Sequence, residues 1–482
     1  MTRTPGGVSV DASVEAKPRR RAGTIVRTFE DAERFLNSRV NFERTKPTRS
    51  DPDGFKLDRM RALLSALDEP QTGFPSVHIA GSKGKGSTCE MLTSALSECG
   101  YAVGLFTSPH LVSVRERIRI GREQISEHDF VQMAERCRRA AEQLDGDMGE
   151  ATYFEIVTAM AFLYFAHLAV DLAVVEVGLG GRLDCTNVIL PIACGLTAIQ
   201  LEHTAILGST LEEIAGEKAG IIKPSVPVVT VPQEESVVRV FQEASGRMDA
   251  PLFVLGESLD YSCRIEADAN LGRHARICVT TDRVQYEHIA VPLRGEHQAA
   301  NCGLVLGLLD QLAGRGFVVP EKEVALGLAK TEVAGRMELA WSDPRILLDV
   351  AHTPDSLRCL VHSVGSHLRF DSLVTIFGCC ADKAVGEMLA EIGRGADKMI
   401  FTQASDTPRA MDPEKLRQKF SDIKGTMSQI APDLKSAINM ASRAVGRDDL
   451  ILITGSCYLV GEAKRLLLEA ATRKAAESAT RG

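Results

Sequence analysis

The run His78-Ile-Ala-Gly-Ser-Lys-Gly-Lys-Gly-Ser-Thr88 constrains this 482-residue chain more than any other segment. An apolar stretch ends at Ala80, glycines 81, 84 and 86 follow, and a new periodicity opens behind Ser87. Met91, Leu92, Ala95, Leu96 and Cys99 share one helical face, Ser87 and Glu90 have capping-box spacing, and Gly100 supplies a stop. The segment therefore predicts a buried strand, a glycine-rich loop and a helix opening at Ser87. In such a loop Gly84 and Gly86 let backbone N–H groups approach an anion that also sees the positive end of the helix. Lys85 adds a mobile cation suited to β- and γ-phosphates, and Ser87 a hydroxyl suited to Mg²⁺. Two positions depart from the common phosphate-loop pattern. Ile79 replaces its first glycine, and Gly86 separates the lysine from the serine.

The rest of the chain supplies a setting for that loop. At about 150 residues per domain, the length predicts two or three domains. Hydrophobic residues at 44% and charged residues at 25% are ordinary for a globular protein. No apolar run reaches the roughly 18 uncharged residues of a membrane span. A net charge of −8 with intermixed signs, one Trp and six Tyr argue against a general nucleic-acid binder. Twelve scattered cysteines without a C-x-x-C pair fit a reduced, cytoplasmic setting. Residues 1–25 lack an apolar signal core and read as a disordered basic leader.

Strands and helices alternate from Val77 onward, with strand candidates at Val77–Ala80, Ala102–Phe106, Leu172–Val177, Leu196–Ile199 and Val226–Val231. Residues 251–293 read as a small antiparallel excursion that includes Leu252-Phe-Val-Leu. A second series follows, at Ile346–Val350, Leu373–Phe377, Met399–Thr402 and Leu450–Thr454. The predicted class is α/β: a phosphate-loop domain with a parallel sheet over 26–334, then a smaller Rossmann-like domain over 335–475. A ligand cleft is expected between them.

Gly81 to Thr88 resembles the variant phosphate loop of ATP-dependent amide ligases related to the muramyl-peptide ligases. Further stretches narrow the resemblance to the folylpolyglutamate synthase/dihydrofolate synthase family: Phe106-Thr-Ser-Pro-His-Leu111, Thr152-Tyr-Phe-Glu155, Val175-Glu-Val-Gly-Leu-Gly-Gly-Arg-Leu-Asp-Cys-Thr-Asn187, Leu201-Glu-His-Thr204, Glu217-Lys-Ala-Gly-Ile221, Gly335-Arg336, Asp349-Val-Ala-His-Thr-Pro354 and Thr454-Gly-Ser456. They occur in family order between about residues 30 and 470.

That resemblance implies a Mur-ligase-like fold and a set of roles. ATP would be held by Gly84, Lys85, Gly86, Ser87, Asn301, Arg336 and Asp349. Ser87, Glu176 and His203 would ligate Mg²⁺, two ions in all, and Lys218 would carry a CO₂-derived carbamate. Lys85, Lys218 and His352 would serve catalysis. Thr152, Tyr153, Phe154, Glu155, Leu183, Asp184, Cys185 and His110 would line the folate site. The implied reaction activates a dihydropteroate or reduced-folate carboxylate as an acyl phosphate and joins it to L-glutamate in a monomeric enzyme. At the end of a buried apolar strand an unpaired Glu176 carboxylate would be costly. A bound Mg²⁺ would compensate it, the alternative being an ion pair with an arginine such as Arg182. Without the resemblance, Lys218 reads as a solvent-facing helical lysine.

Three departures from the family pattern stand out: Ser82-Lys83 for Thr-Asn, Glu202-His203 for Asp-His, and His352-Thr353-Pro354 for His-Asn-Pro. Two rival readings follow. A muramyl-peptide-type ligase would be expected to carry a UDP-binding domain, for which the 80 residues before Gly81 are short. A non-catalytic nucleotide-binding paralogue would not be expected to retain the metal ligands.

Overall fold

The computed structural model describes residues 25–43, 57–144, 146–268, 272–293, 295–405, 407–423 and 427–479. Residues 1–24 of the expected leader and the Pro-containing stretch from Arg44 to Gly54 lie outside them. The chain forms an α/β structure with a large, mainly parallel sheet and a separate C-terminal α/β domain. In space the eight-stranded sheet runs Glu123–Gln124, Ile118–Ile120, Val103–Phe106, Leu172–Glu176, Ser76–Ala80, Ala193–Leu196, Val228–Thr230 and Leu252–Val254. The first two are joined antiparallel and the other six are parallel. Val77, Ile79, Val174 and Leu105 are fully buried, as a sheet covered on both faces requires.

The six-stranded sheet runs Glu338–Ser342, Arg345–Leu348, Leu450–Thr454, Leu373–Phe377, Lys398–Phe401 and Ser428–Ile430, with only the first strand antiparallel. Parallel sheets gather ligand-binding loops at the carboxyl ends of their strands. Ala80, Glu176 and Leu196 end such strands in the large sheet, and Leu348, Phe377 and Thr454 end them in the other. The loops that follow all six line a single cleft of 2440 Å³.

Several sequence expectations need correction. The helix after the glycine loop spans Lys85–Glu98, with Gly84 as a cap that makes no side-chain bond. Ser87 therefore does not open it, and Glu90 pairs with Arg119 rather than closing a capping box. The strand expected at Leu196–Ile199 lies earlier, at Ala193–Leu196, because register with Val77–Ala80 outweighs local β-propensity. Leu252–Val254 joins the large sheet in parallel, leaving Asp260–Asp268, Gly272–Thr280 and Gln285–Ala290 as a separate antiparallel sheet. Short strands at Glu338–Ser342 and Ser428–Ile430 also escaped the hydrophobic pattern, since none of their residues is fully buried.

The two parts meet at the loop after Val103–Phe106. Leu111 packs on the core of the C-terminal domain. Gly461, on the helix Cys457–Ala479, lies so close that a Cβ there would stand 2.2 Å from the Leu111 carbonyl oxygen.

Candidate active site

The glycine loop hangs between two elements. Ser82 and Lys83 donate backbone N–H bonds to the Ala198 carbonyl at 2.9 and 3.2 Å. Gly84 adopts φ +96°, and a Cβ on it would lie 2.4 Å from Asn301 Oδ1. Only glycine satisfies both the left-handed backbone and that approach. Asn301 stands on the helix Glu296–Ala313 and donates to Gln298 Oε1 at 3.0 Å, while Gln298 Nε2 reaches Ser87 Oγ at 3.4 Å. Gln298 thus supports the Ser87 hydroxyl from behind. The sequence reading missed it, although its three-residue spacing from Asn301 places both on one helical face.

Glu176 ends its strand 4% exposed. It makes no pair with Arg182, which joins Glu217 instead. Its Oε2 accepts the Ser108 N–H at 3.0 Å, and Oε1 accepts no bond among the described residues. Burial raises its pKa to about 7 against the pull of Lys85. A cation would resolve this unneutralised carboxylate. Among the described residues no three His, Cys, Asp or Glu side chains cluster as a preformed metal cage. Mg²⁺ suits such a place, because it takes one or two protein oxygens and completes its shell from phosphates and water. Ser87 and Glu176 fit that donor set. His203 is exposed on the wall of the same cleft, with its backbone at φ 46°.

Lys218 corrects the residue-level expectation. It is 1% exposed rather than solvent-facing, and its Nζ donates to Glu202 Oε1 at 3.0 Å. Burial, then the charge of Lys85, pulls its amine down to about 8. Glu202 keeps its charge despite burial because Lys85, Lys218 and Lys83 surround it. Lys83 is likewise lowered to about 8, by burial and, against Glu202, by Lys85, Arg336 and Lys383.

The C-terminal domain contributes Arg336, Asp349, His352 and Lys383 to the same cleft. Asp349 is 7% exposed and accepts the Met337 and Ala351 N–H groups, each at 2.9 Å, which fixes the turn that presents Arg336. His352 donates through Nδ1 to the Val350 carbonyl at 2.9 Å, so Nε2 is left as an acceptor. Burial holds it neutral, at about 3, and Lys83, Lys383 and Arg336 push the same way. Thr353 caps the helix Pro354–His367 by accepting the Ser356 N–H at 3.3 Å. Lys383 escaped the sequence reading, yet it follows the strand Leu373–Phe377 where a cleft residue is expected.

The residues expected around a folate also line the cleft, but most of their polar atoms are paired with protein. Thr152 and Glu155 form a reciprocal helix cap, and Glu155 takes the buried Arg59 at 2.9 Å. Tyr153 lies under the Arg117 guanidinium at 5.5 Å. Arg117 grips Glu43 at 2.8 and 2.6 Å and donates to His110 Nδ1 at 2.7 Å. Phe154 stacks near Phe106, ring centroids 5.8 Å apart, and Leu183 is exposed. Cys185 is buried 3.2 Å from the Thr158 hydroxyl. Asp184, 3% exposed, accepts the Leu179 and Thr186 N–H groups at 2.9 and 3.0 Å.

A phosphate-gripping loop and a second α/β domain closing on it define an ATP-dependent ligase of the Mur type. The Mur ligase middle domain matches residues 79–309, and the Mur ligase glutamate ligase domain matches residues 335–457. The chain belongs to the dihydrofolate synthase/folylpolyglutamate synthase family. It is 33% identical to the dihydrofolate synthase/folylpolyglutamate synthase of Bacillus subtilis over 91% of this chain and 99% of that protein. The Mycobacterium tuberculosis folylpolyglutamate synthase complexed with ADP superposes with a TM-score of 0.81 at 32% identity, covering 91% of this chain and 98% of that one. E. coli FolC in complex with DHPP and ADP gives 0.79 at 25% identity, covering 93% and 100%.

Proposed function

We propose that the protein is an ADP-forming ligase that joins L-glutamate to dihydropteroate and to reduced folates, as a monomer in the cytoplasm. The observation that carries this reading is the shared cleft, to which the first domain brings Lys85 at a helix start and Glu176 at a strand end. The second brings Arg336 just before its first strand and Asp349 just after the strand Arg345–Leu348. ATP would lie along Gly84, Lys85, Gly86 and Ser87, with Asn301 beside that loop, Asp349 on its nucleoside side and Arg336 on its phosphates.

The acceptor carboxylate attacks the γ-phosphorus in line, and ADP departs. The α-amine of glutamate then attacks the acyl phosphate, phosphate leaves, and one proton is released. Lys85 and Arg336 stabilise the charge that spreads over the phosphoryl oxygens. Domain closure excludes water that would hydrolyse the acyl phosphate. His352 Nε2, unprotonated, is an acceptor for the attacking amine. When bound, Mg²⁺ supplies charge neutralisation, with Ser87 and Glu176 as oxygen donors and His203 as a nitrogen donor to a second ion. Asp184, Cys185, Leu183, His110 and Thr152 to Glu155 would shape the acceptor site.

Lys218 is the residue proposed to take up CO₂. Its lowered pKa leaves some neutral amine near neutral pH, and Glu202 must then yield its ion pair. Bicarbonate should restore activity lost on exhaustive degassing, and should do nothing for Lys218→Ala.

The test of the main reading is ADP release with Mg-ATP and L-glutamate, adding dihydropteroate or tetrahydrofolate in parallel. Release with both establishes the bifunctional ligase, and release with tetrahydrofolate alone reduces it to polyglutamylation. Silence with both refutes it.

A further inference from the structure

His78 has no part in the chemistry above, although it stands three residues before the glycine loop on the central strand. It is wholly buried, with Nε2 2.9 Å from Thr186 Oγ1 and Nδ1 without any partner. Thr186 is also wholly buried, and its hydroxyl donates to Asp184 Oδ1 at 2.5 Å. A threonine hydroxyl has one proton to give. With that proton on Asp184, whose two oxygens also accept the Leu179 and Thr186 N–H groups, Oγ1 can only accept, so His78 must carry its own proton on Nε2. The direction of the chain is therefore fixed: His78 Nε2–H to Thr186, Thr186 O–H to Asp184. Asp184 Oδ2 is steadied separately by the Leu179 N–H at 2.9 Å. Burial and then the charge of Lys223 hold the imidazole neutral, at about 3, so it acts as a donor rather than as a charge.

A lone buried histidine with one empty nitrogen is an expensive way to fill a strand, since valine would leave no polar atom unpaired. Its one satisfied contact aims at the single carboxylate among the proposed folate residues that faces the cleft without an arginine. Burial raises the Asp184 pKa, and the Thr186 hydroxyl is the largest contribution working against that rise. Loss of the imidazole donor frees Thr186 to rotate its proton elsewhere, leaving Asp184 less firmly oriented.

We propose that His78 and Thr186 are positioning residues that orient Asp184 toward the pteroate or folate acceptor. This inference rests on the acceptor-site reading above. It predicts a pattern among four variants. Thr186→Val removes the hydroxyl and raises the acceptor KM about tenfold, the size of a hydrogen bond to a charged group. His78→Met raises it about three- to tenfold. Thr186→Ser, which keeps the hydroxyl, and His78→Gln, whose amide N–H reaches as far as Nε2, stay within about twofold of the parent. The KM for ATP moves in none of them.

The tests are steady-state kinetics with tetrahydrofolate and dihydropteroate, and ¹⁵N chemical shifts of the His78 ring, assigned by its loss in His78→Gln. A neutral Nε2–H ring and a rise in KM confined to the acceptor support the relay. An Nδ1–H or charged ring overturns it, as does a parallel rise in ATP KM or a His78→Gln variant as impaired as His78→Met. The ring measurement needs no substrate. A parent enzyme silent with both acceptors refutes the functional reading, while the tautomer still decides the relay.

Discussion

The two ends of the cleft are built on opposite electrostatic plans. Around the glycine loop, Lys83, Lys85, Arg336 and Lys383 converge from both domains with Glu202 as the carboxylate that tempers them. Around Thr152 to Glu155 and Asp184, polar groups are already partnered: Arg59 by Glu155, Arg117 by Glu43, and the Asp184 carboxylate by three hydrogen bonds from two residues. The first end waits for an anion, whereas the second offers a finished shape. Removing a side chain at the first end should therefore weaken function and spare the fold. The same operation at the second should damage the fold first.

The largest effect falls on the finished end. Glu155→Ala strands the buried Arg59 and should cost about 3–5 kcal/mol in denaturant unfolding, while Arg59→Met with Glu155→Leu recovers most of that loss. Next comes Lys85→Met at the waiting end. It should lower kcat by about 10²–10³ and leave the unfolding midpoint within about 0.5 kcal/mol of the parent. If Lys85→Met unfolds the protein, or Glu155→Ala leaves stability untouched, the contrast fails.

Lys83→Asn should act more mildly, raising the ATP KM by about two- to tenfold through loss of one partly screened cation. It also carries a pH signature. The folded amine, at about 8, holds its proton less tightly than the unfolded chain does at the usual 10.5. Lys83 thus makes the ligand-free protein gain stability as pH rises between those values, and lose it as pH falls through about 8. Lys83→Asn should remove that gain in pH-dependent unfolding. Smallest of all, Thr353→Asn should change neither activity nor stability by more than about 0.5 kcal/mol, since both residues cap helices. Thr353→Ala should cost about 1 kcal/mol of stability.

What could be read from the chain follows the same division. The cleft positions of Lys85, Ser87 and Glu176 were legible because each sits at a strand end or helix start whose position the hydrophobic pattern announces. Lys218 was not. Its burial depends on Glu202, sixteen residues away in sequence and brought across by a separate loop. The Ser87–Glu90 spacing matched a capping box, but Gly84 starts the helix earlier and Arg119, on the strand Ile118–Ile120, claims Glu90. Thr152 and Glu155 were singled out on resemblance, while the bond from Glu155 to Arg59 joins residues 96 apart in sequence and leaves no local pattern. Arg117's grip on Glu43 spans 74 residues and has no periodic signature at all.

The contact between Leu111 and Gly461 bears on how such a protein is assembled over evolutionary time. The two matched domains look like interchangeable modules, each with its own sheet. Yet the backbone of one enters a space in the other that any side chain larger than hydrogen would occupy. A C-terminal domain borrowed from a related ligase fits this partner only if it brings the same vacancy at that helix position. The seam therefore behaves as a compatibility check on recombination, and shuffled chimaeras should survive or fail by one methyl group.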